Sequence, residues 1–121
     1  MQHSEITDQI IGSFFDVYNN LGSGFLEPVY ENALVICLEQ KGLKVEQQIP
    51  IQVRFQDRVV GEFRADLLVD NSVIVELKAV SQIGDIHIAQ TLNYLKATGI
   101  EVGLLLNFGT KPEFKRFIYN L

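Results

Sequence analysis

Residues 65–80 read ADLLVDNSVIVELKAV, two apolar runs rich in β-branched residues on either side of Asp70, Asn71 and Ser72. A run, a turn and a second run predict a tight β-hairpin. Neither run alternates cleanly between apolar and polar positions, so both strands are expected to be central in a sheet and covered on both faces. Upstream the period changes. Ile6, Ile10, Phe14, Val17 and Leu21 recur at helical spacing behind Ser4, which predicts a first amphipathic helix over about residues 5–20 with Ser4 as its N-cap. After LGSG, Pro28 fits the first turn of a second helix and Gly42 its stop. On that helix Val29, Ala33, Ile36 and Gln40 share one side, with Leu34 and Leu38 widening the apolar stripe.

The texture then turns to strands. In LKVEQQIPIQVRF the apolar residues Val45, Ile49, Ile51, Val53 and Phe55 alternate once Pro50 is read as an edge position or bulge. Gln56, Asp57 and Arg58 make a turn, and VVGEFRADLLVD returns as the strand that carries Asp66, with Gly61 at a bulge. Beyond the hairpin a helix is expected over 85–97, capped by Asp85 and stopped by Gly99. Its apolar set is Ile86, Ile88, Ala89, Leu92 and Leu95; His87, Gln90, Thr91 and Tyr94 cluster on another face. An apolar strand over 102–107 then completes a right-handed βαβ crossover, which sets it parallel to the Glu76 strand. The tail KPEFKRFIYNL reads as a further strand, with exposed Phe114, Phe117 and Tyr119 and a basic cluster of Lys111, Lys115 and Arg116.

The 121 residues, 47% of them hydrophobic, suit a single domain over 1–121 without linkers or repeats. No window approaches the length of apolar residues that spans a bilayer, and the start MQHSEITDQ has neither a basic nor an apolar leader region, so a cytoplasmic protein without membrane contact is expected. Cys37 has no partner cysteine, which excludes a disulfide framework and a cysteine-rich zinc site. The net charge of −5 opposes general affinity for nucleic acid, although divalent cations in an acidic site supply positive charge locally.

Against this background the hairpin's charges stand out. Asp66 lies on one strand and Glu76 and Lys78 on the other, in surroundings where an ionised carboxylate costs several kcal/mol unless compensated. Glu76 and Lys78 are two apart and face the same side, roughly 6–7 Å from one to the next. Paired carboxylates make a hard-oxygen site for Mg²⁺ or Mn²⁺, and an adjacent lysine orients water or a phosphate oxygen. A buried Glu76–Lys78 ion pair, with Asp66 closing the turn, accounts for the same charges. Glu27 at the mouth of the second helix is favoured there by the helix dipole alone. Arg64 shares parity with Asp66 and is either a phosphate contact or a rim charge, and a lone His87 is read as incidental.

Taken in order, Glu27 on a helix, D-x₉-E-x-K as Asp66, Glu76 and Lys78 on antiparallel strands, and Q-x-x-x-Y as Gln90 and Tyr94 on the next helix resemble the PD-(D/E)XK nuclease superfamily. Gly24, Glu27 and Tyr30 in GFLEPVY further resemble the naming motif of its GxxExxY family; the residue before the aspartate is Ala65 where the superfamily name has proline. The resemblance implies an α/β restriction-endonuclease-like core, a mixed central sheet flanked by helices. It also implies a metal-dependent nuclease acting on nucleic acid, chiefly DNA, with Mg²⁺ or Mn²⁺ held by Asp66, Glu76 and the Leu77 carbonyl. Lys78 would position or activate the attacking water, Glu27 would reach the metal directly or through water, and Gln90 with Tyr94 would orient the site. Two alternatives keep the fold without turnover: a nuclease-fold binding module, or a subunit of a larger defence or repair complex. A homodimer would supply the surface that so small a domain lacks.

Overall fold

In the computed structural model, which describes residues 3–119, the elements run α1 (Ser4–Leu21), α2 (Glu27–Gln40), β1 (Val45–Phe55), β2 (Arg58–Val69), β3 (Val73–Lys78), α3 (Asp85–Thr98), β4 (Val102–Phe108) and β5 (Pro112–Ile118). The strands form one mixed sheet in the order β1-β2-β3-β4-β5, antiparallel throughout except for the parallel β3–β4 pair that α3 connects. The sheet follows from the apolar runs. β3 and β4 are buried along nearly their whole length because helices cover both faces, which is why they lack alternation. α1 and α2 pack on one face, where Ile10, Phe14, Leu34 and Leu38 meet Leu67, Val75, Leu104 and Leu106. On the other face Tyr94 and Leu95 of α3 meet Ile51, Ala65 and Ile74.

Two turns set the hairpins. Gln56 and Asp57 both adopt positive φ, 51° and 65°, which matches the strand twist and joins β1 to β2 through two residues, so Arg58 already belongs to β2. The register slips between Val53 and Arg54, opposite Gly61 and Val59, at the bulge expected near Gly61. Asp70 and Asn71 at φ 50° and 53° turn β2 into β3, and the Asp70 carboxylate also accepts the Lys44 N–H at 2.8 Å. Pro50 is harmless because β1 is an edge strand.

Several local expectations need correction. Ser4 and Asp85 are the first helical residues rather than caps; His3 precedes α1 without a side-chain cap, and α3 starts from Gly84, whose N–H donates to His87 Nδ1 at 3.0 Å. His87 is therefore a capping residue. α2 buries Tyr30, Glu31, Leu34 and Leu38, leaving Val29 and Ile36 exposed. α3 turns Thr91, Tyr94 and Leu95 inward and leaves Ile86 76% exposed. Of the tail aromatics only Phe114 is exposed, because Phe117 and Tyr119 pack beside the α3-side cluster. No helix among the described residues is long and apolar enough to cross a membrane.

Candidate active site

β2 and β3 pair only from Leu67↔Val75 towards their shared turn. Beyond that point the backbones part, and each strand's free N–H is taken by a carboxylate from the other. The Asp66 N–H donates to Glu76 Oε2 at 2.7 Å, and the Leu77 N–H donates to Asp66 Oδ2 at 2.8 Å. Two acids thus stand side by side at the open end of a strand pair, held by backbone. Glu76 is only 3% exposed.

Burial, then the charge of Asp66, pushes the Glu76 carboxyl up to about 8, and burial raises Asp66 as well. Lys78 opposes both shifts from a distance, yet it makes no close ion pair with either acid. The buried Glu76–Lys78 pair weighed from the sequence is therefore not formed. Instead the acids keep proton-accepting capacity with no ion pair to a cation among the described residues.

The helix acid beside this pair is Glu31. It is 7% exposed, its charge raises both Asp66 and Glu76, and its two oxygens accept from Gln47 Nε2 at 2.8 Å and Gln48 Nε2 at 2.9 Å. Gln48 also reaches Asp66 Oδ1 at 3.4 Å, and its backbone sits at φ 54° in the middle of β1. A left-handed non-glycine residue inside a strand costs on the order of 1–3 kcal/mol and turns this amide between the two acids. Glu27, at the first position of α2, makes no hydrogen bond to the pair. Arg64 is exposed and donates to the Gln48 carbonyl at 3.3 Å.

α3 brings the amide and phenol alongside. Gln90 Nε2 donates to Tyr94 Oη at 3.2 Å, and the Tyr94 hydroxyl is raised by burial and then by the charges of Glu76 and Asp66. At the far end of β3, buried Asn107 accepts the Val80 N–H at 3.0 Å and donates to the Val80 carbonyl at 2.9 Å. This fixes the chain leaving Lys78. A Cβ at Gly109 would collide with that same Val80 carbonyl.

Glu31, Gln48 and Asn107 were not singled out by sequence reasoning. Asn107 carried a signal, since a lone amide in an apolar strand needs partners. Gln47 and Gln48 also did, by interrupting the apolar positions between Val45 and Ile49.

Gly24 and Tyr30 have structural work. Gly24 sits at φ 112°, and the buried Tyr30 hydroxyl donates to the Gly22 carbonyl at 2.6 Å while accepting the Phe25 N–H at 3.1 Å. The Tyr30 ring stacks on Phe108 at 4.3 Å. Tyr30→Phe keeps the stack and strands two backbone groups, so urea denaturation is expected to show a loss of about 1–3 kcal/mol.

The donor set fits a hard divalent ion. Glu76 Oε1 receives no hydrogen bond from a described residue, Asp66 Oδ1 has only the long Gln48 contact, and both are carboxylate oxygens. Glu31 is occupied by its glutamines, and no group of three or more His, Cys, Asp or Glu among the described residues gathers closely enough to chelate an ion. The pair needs a backbone oxygen or solvent to complete a coordination shell.

Comparison with known proteins bears on the fold and the family. The family model described as the PD-(D/E)XK nuclease superfamily matches residues 4–117. The solved structure of the protein SSO0001 is similar over 78% of the chain, at 18% identity with a TM-score of 0.59. The alkaline exonuclease LHK-Exo from Laribacter hongkongensis is similar over 71%, at 13% identity with a TM-score of 0.53. The chain spans about half the length of either protein, 50% and 52%. No curated protein matches the sequence.

Proposed function

The chain belongs to the PD-(D/E)XK nuclease superfamily, and from that premise we propose that it is a nuclease that hydrolyses phosphodiester bonds of DNA with Mg²⁺ or Mn²⁺ at the Asp66–Glu76 pair. The observation that carries this reading is the pair itself: two adjacent carboxylates, tied by each other's backbone and in ion pair with no cation among the described residues. Asp66, Glu76 and the Leu77 carbonyl would hold the ion. When bound it supplies positive charge facing the phosphate and acidifies water.

The chain's own residues do the rest. Lys78, without an ion pair among the described residues and on the strand face of Glu76, orients the attacking water and stabilises charge that grows on the phosphate. Tyr94, bonded to Gln90, closes the site on the α3 side, and Glu31 with Gln48 fixes the orientation of Asp66. Glu27 we assign an outer position, acting through water. Narrower membership of the GxxExxY family is supported by Gly24 and Tyr30, whose conformation and bonds build the loop leading into α2.

The test is a panel of single- and double-stranded DNA and RNA incubated with Mg²⁺, Mn²⁺ or chelator, beside Lys78→Ala. Cleavage in metal alone, reduced at least roughly a hundredfold in Lys78→Ala, is expected. No cleavage of any substrate, or full activity of the variant, overturns the reading.

A further inference from the structure

The outer part of the β1–β2 hairpin runs past the edge of β3 and faces α3 across an open groove of about 810 Å³. Of the eleven residues that line it, Arg54 and Lys96 are cationic and none is acidic, in a chain whose net charge is −5. Neither cation makes an ion pair among the described residues, and Arg54 is steadied by Gln52 Oε1 at 2.9 Å. On the floor lies Phe63. Phe63 is 48% exposed, its ring tilted 43° to that of Tyr94 with centroids 6.0 Å apart, and a Cβ at Gly61 would come within 3.1 Å of the ring. An exposed ring lining a groove beside cations that no acid neutralises is a face suited to a ligand.

We infer that this groove is the track for an unpaired strand of nucleic acid, with a base stacked on Phe63 and phosphates met by Arg54 and Lys96. The inference rests on the nuclease reading for the direction of the track, because Gln90 and Tyr94 belong both to the groove wall and to the surroundings of the carboxylates. Three observations select the occupant. The lining is complementary to phosphate in an otherwise acidic protein. A bare ring accepts the face of a base only where that base is unstacked, which duplex does not offer. The cavity has the size of a cleft for small molecules, suited to nucleotides in extended conformation rather than to a double helix. Asn93 adds an amide that reaches base or sugar edges.

The experiment is fluorescence anisotropy in chelator, so that binding is read without cleavage. Labelled oligothymidylate, oligouridylate and a blunt duplex hairpin are titrated with the parent chain and with Phe63→Ala, Phe63→Leu, Phe63→Tyr and the double variant Arg54→Gln/Lys96→Gln. The single strands are expected to bind at least about tenfold more tightly than the duplex, and Phe63→Ala and Phe63→Leu to lose at least about tenfold, as for removal of one stacking platform. Phe63→Tyr keeps the parent affinity. The double variant lowers the salt slope of log K by roughly 1.4, the value for two single-strand phosphate contacts. An oligodeoxyuridylate arm beside the uridylate one, differing from it in the 2′-hydroxyl alone, identifies which sugar the groove prefers.

Single-strand affinity that survives in Phe63→Leu and Phe63→Ala, or tighter binding of duplex than of either single strand, overturns the inference; so does absence of oligonucleotide binding, which would assign the face to an apolar protein partner. Failure of the two readings is separable. A parent that binds single strands through Phe63 but cuts nothing with metal sinks the nuclease and keeps the groove. A parent that cuts single strands with metal, but binds and cuts them no better than Phe63→Ala does, keeps the nuclease and sinks the groove.

Discussion

Glu76→Gln is expected to give a protein that is more stable than the parent in alkaline, metal-free buffer and yet cuts nucleic acid at least roughly a thousandfold more slowly. Both effects follow from one side chain. The glutamate lies buried next to Asp66, so its ionised form suffers from burial first and from its neighbour's charge second. An amide of the same shape carries no charge to desolvate, and its carbonyl oxygen still accepts the Asp66 N–H. Folding therefore gains where the parent would be ionised. Activity is expected to fall because the amide takes away one of the two carboxylates proposed to hold the ion, and the charge stabilisation due to a divalent ion is worth several kcal/mol of barrier. Thermal melts and a cleavage assay on the same preparation check the pair of outcomes. An active Glu76→Gln removes Glu76 from the machinery.

The second large effect is the parent's own response to pH. Glu76 rises from the ordinary 4.5 to about 8 in the folded chain, and Asp66 rises as well. A carboxyl with a raised folded pKa holds its proton in the native state after the unfolded chain has released it. The native state then binds more protons, and stability falls as pH increases. The contribution is fully present below about pH 4.5 and is lost progressively up to about pH 8, amounting to a few kcal/mol. In chelator the melting temperature is expected to drop by roughly 10 °C between pH 5.5 and 8.5. Glu76→Gln flattens most of that slope. Saturating Mn²⁺ recovers stability at the alkaline end, by about 2.7 kcal/mol at a hundredfold excess over the dissociation constant. A parent whose melting temperature is level or rises over this range contradicts the buried carboxyl pair with its raised Glu76.

Much of the fold was legible because its strongest signals are local. The apolar runs around Asp70, Asn71 and Ser72 became β2 and β3, and the strand–helix–strand order became the parallel β3–β4 pair around α3. Helix faces were legible only in part. Ile36 and Ile86 look like core residues in sequence and are exposed, whereas Tyr94 and Thr91 look polar and are buried. For Tyr94 the reason is tertiary, since α3 packs it near the charges of Glu76 and Asp66; Thr91 can be buried because its hydroxyl donates to the His87 carbonyl of its own helix at 3.0 Å.

The carboxylate pair itself could be read from the improbability of charge in an apolar hairpin. Glu31 could not be separated from Glu27 by spacing, since both stand on one side of α2; only the buried set of Tyr30, Leu34 and Leu38 shows which acid turns to the sheet. Gln48 was hidden for another reason. Its positive φ is a property of the strand's path past Asp66 and leaves no mark in residue type.

The central claim is that the buried Asp66–Glu76 pair holds a proton near neutral pH, chiefly on Glu76, which a divalent ion displaces. Calorimetric titration of the metal-free chain with Mn²⁺ at pH 7, repeated in buffers of different ionisation enthalpy, measures ion and proton together. The account predicts saturable binding that releases about one proton per ion, with affinity lost in both Asp66→Asn and Glu76→Gln. Binding that releases no proton, or that is unchanged in either variant, would contradict it.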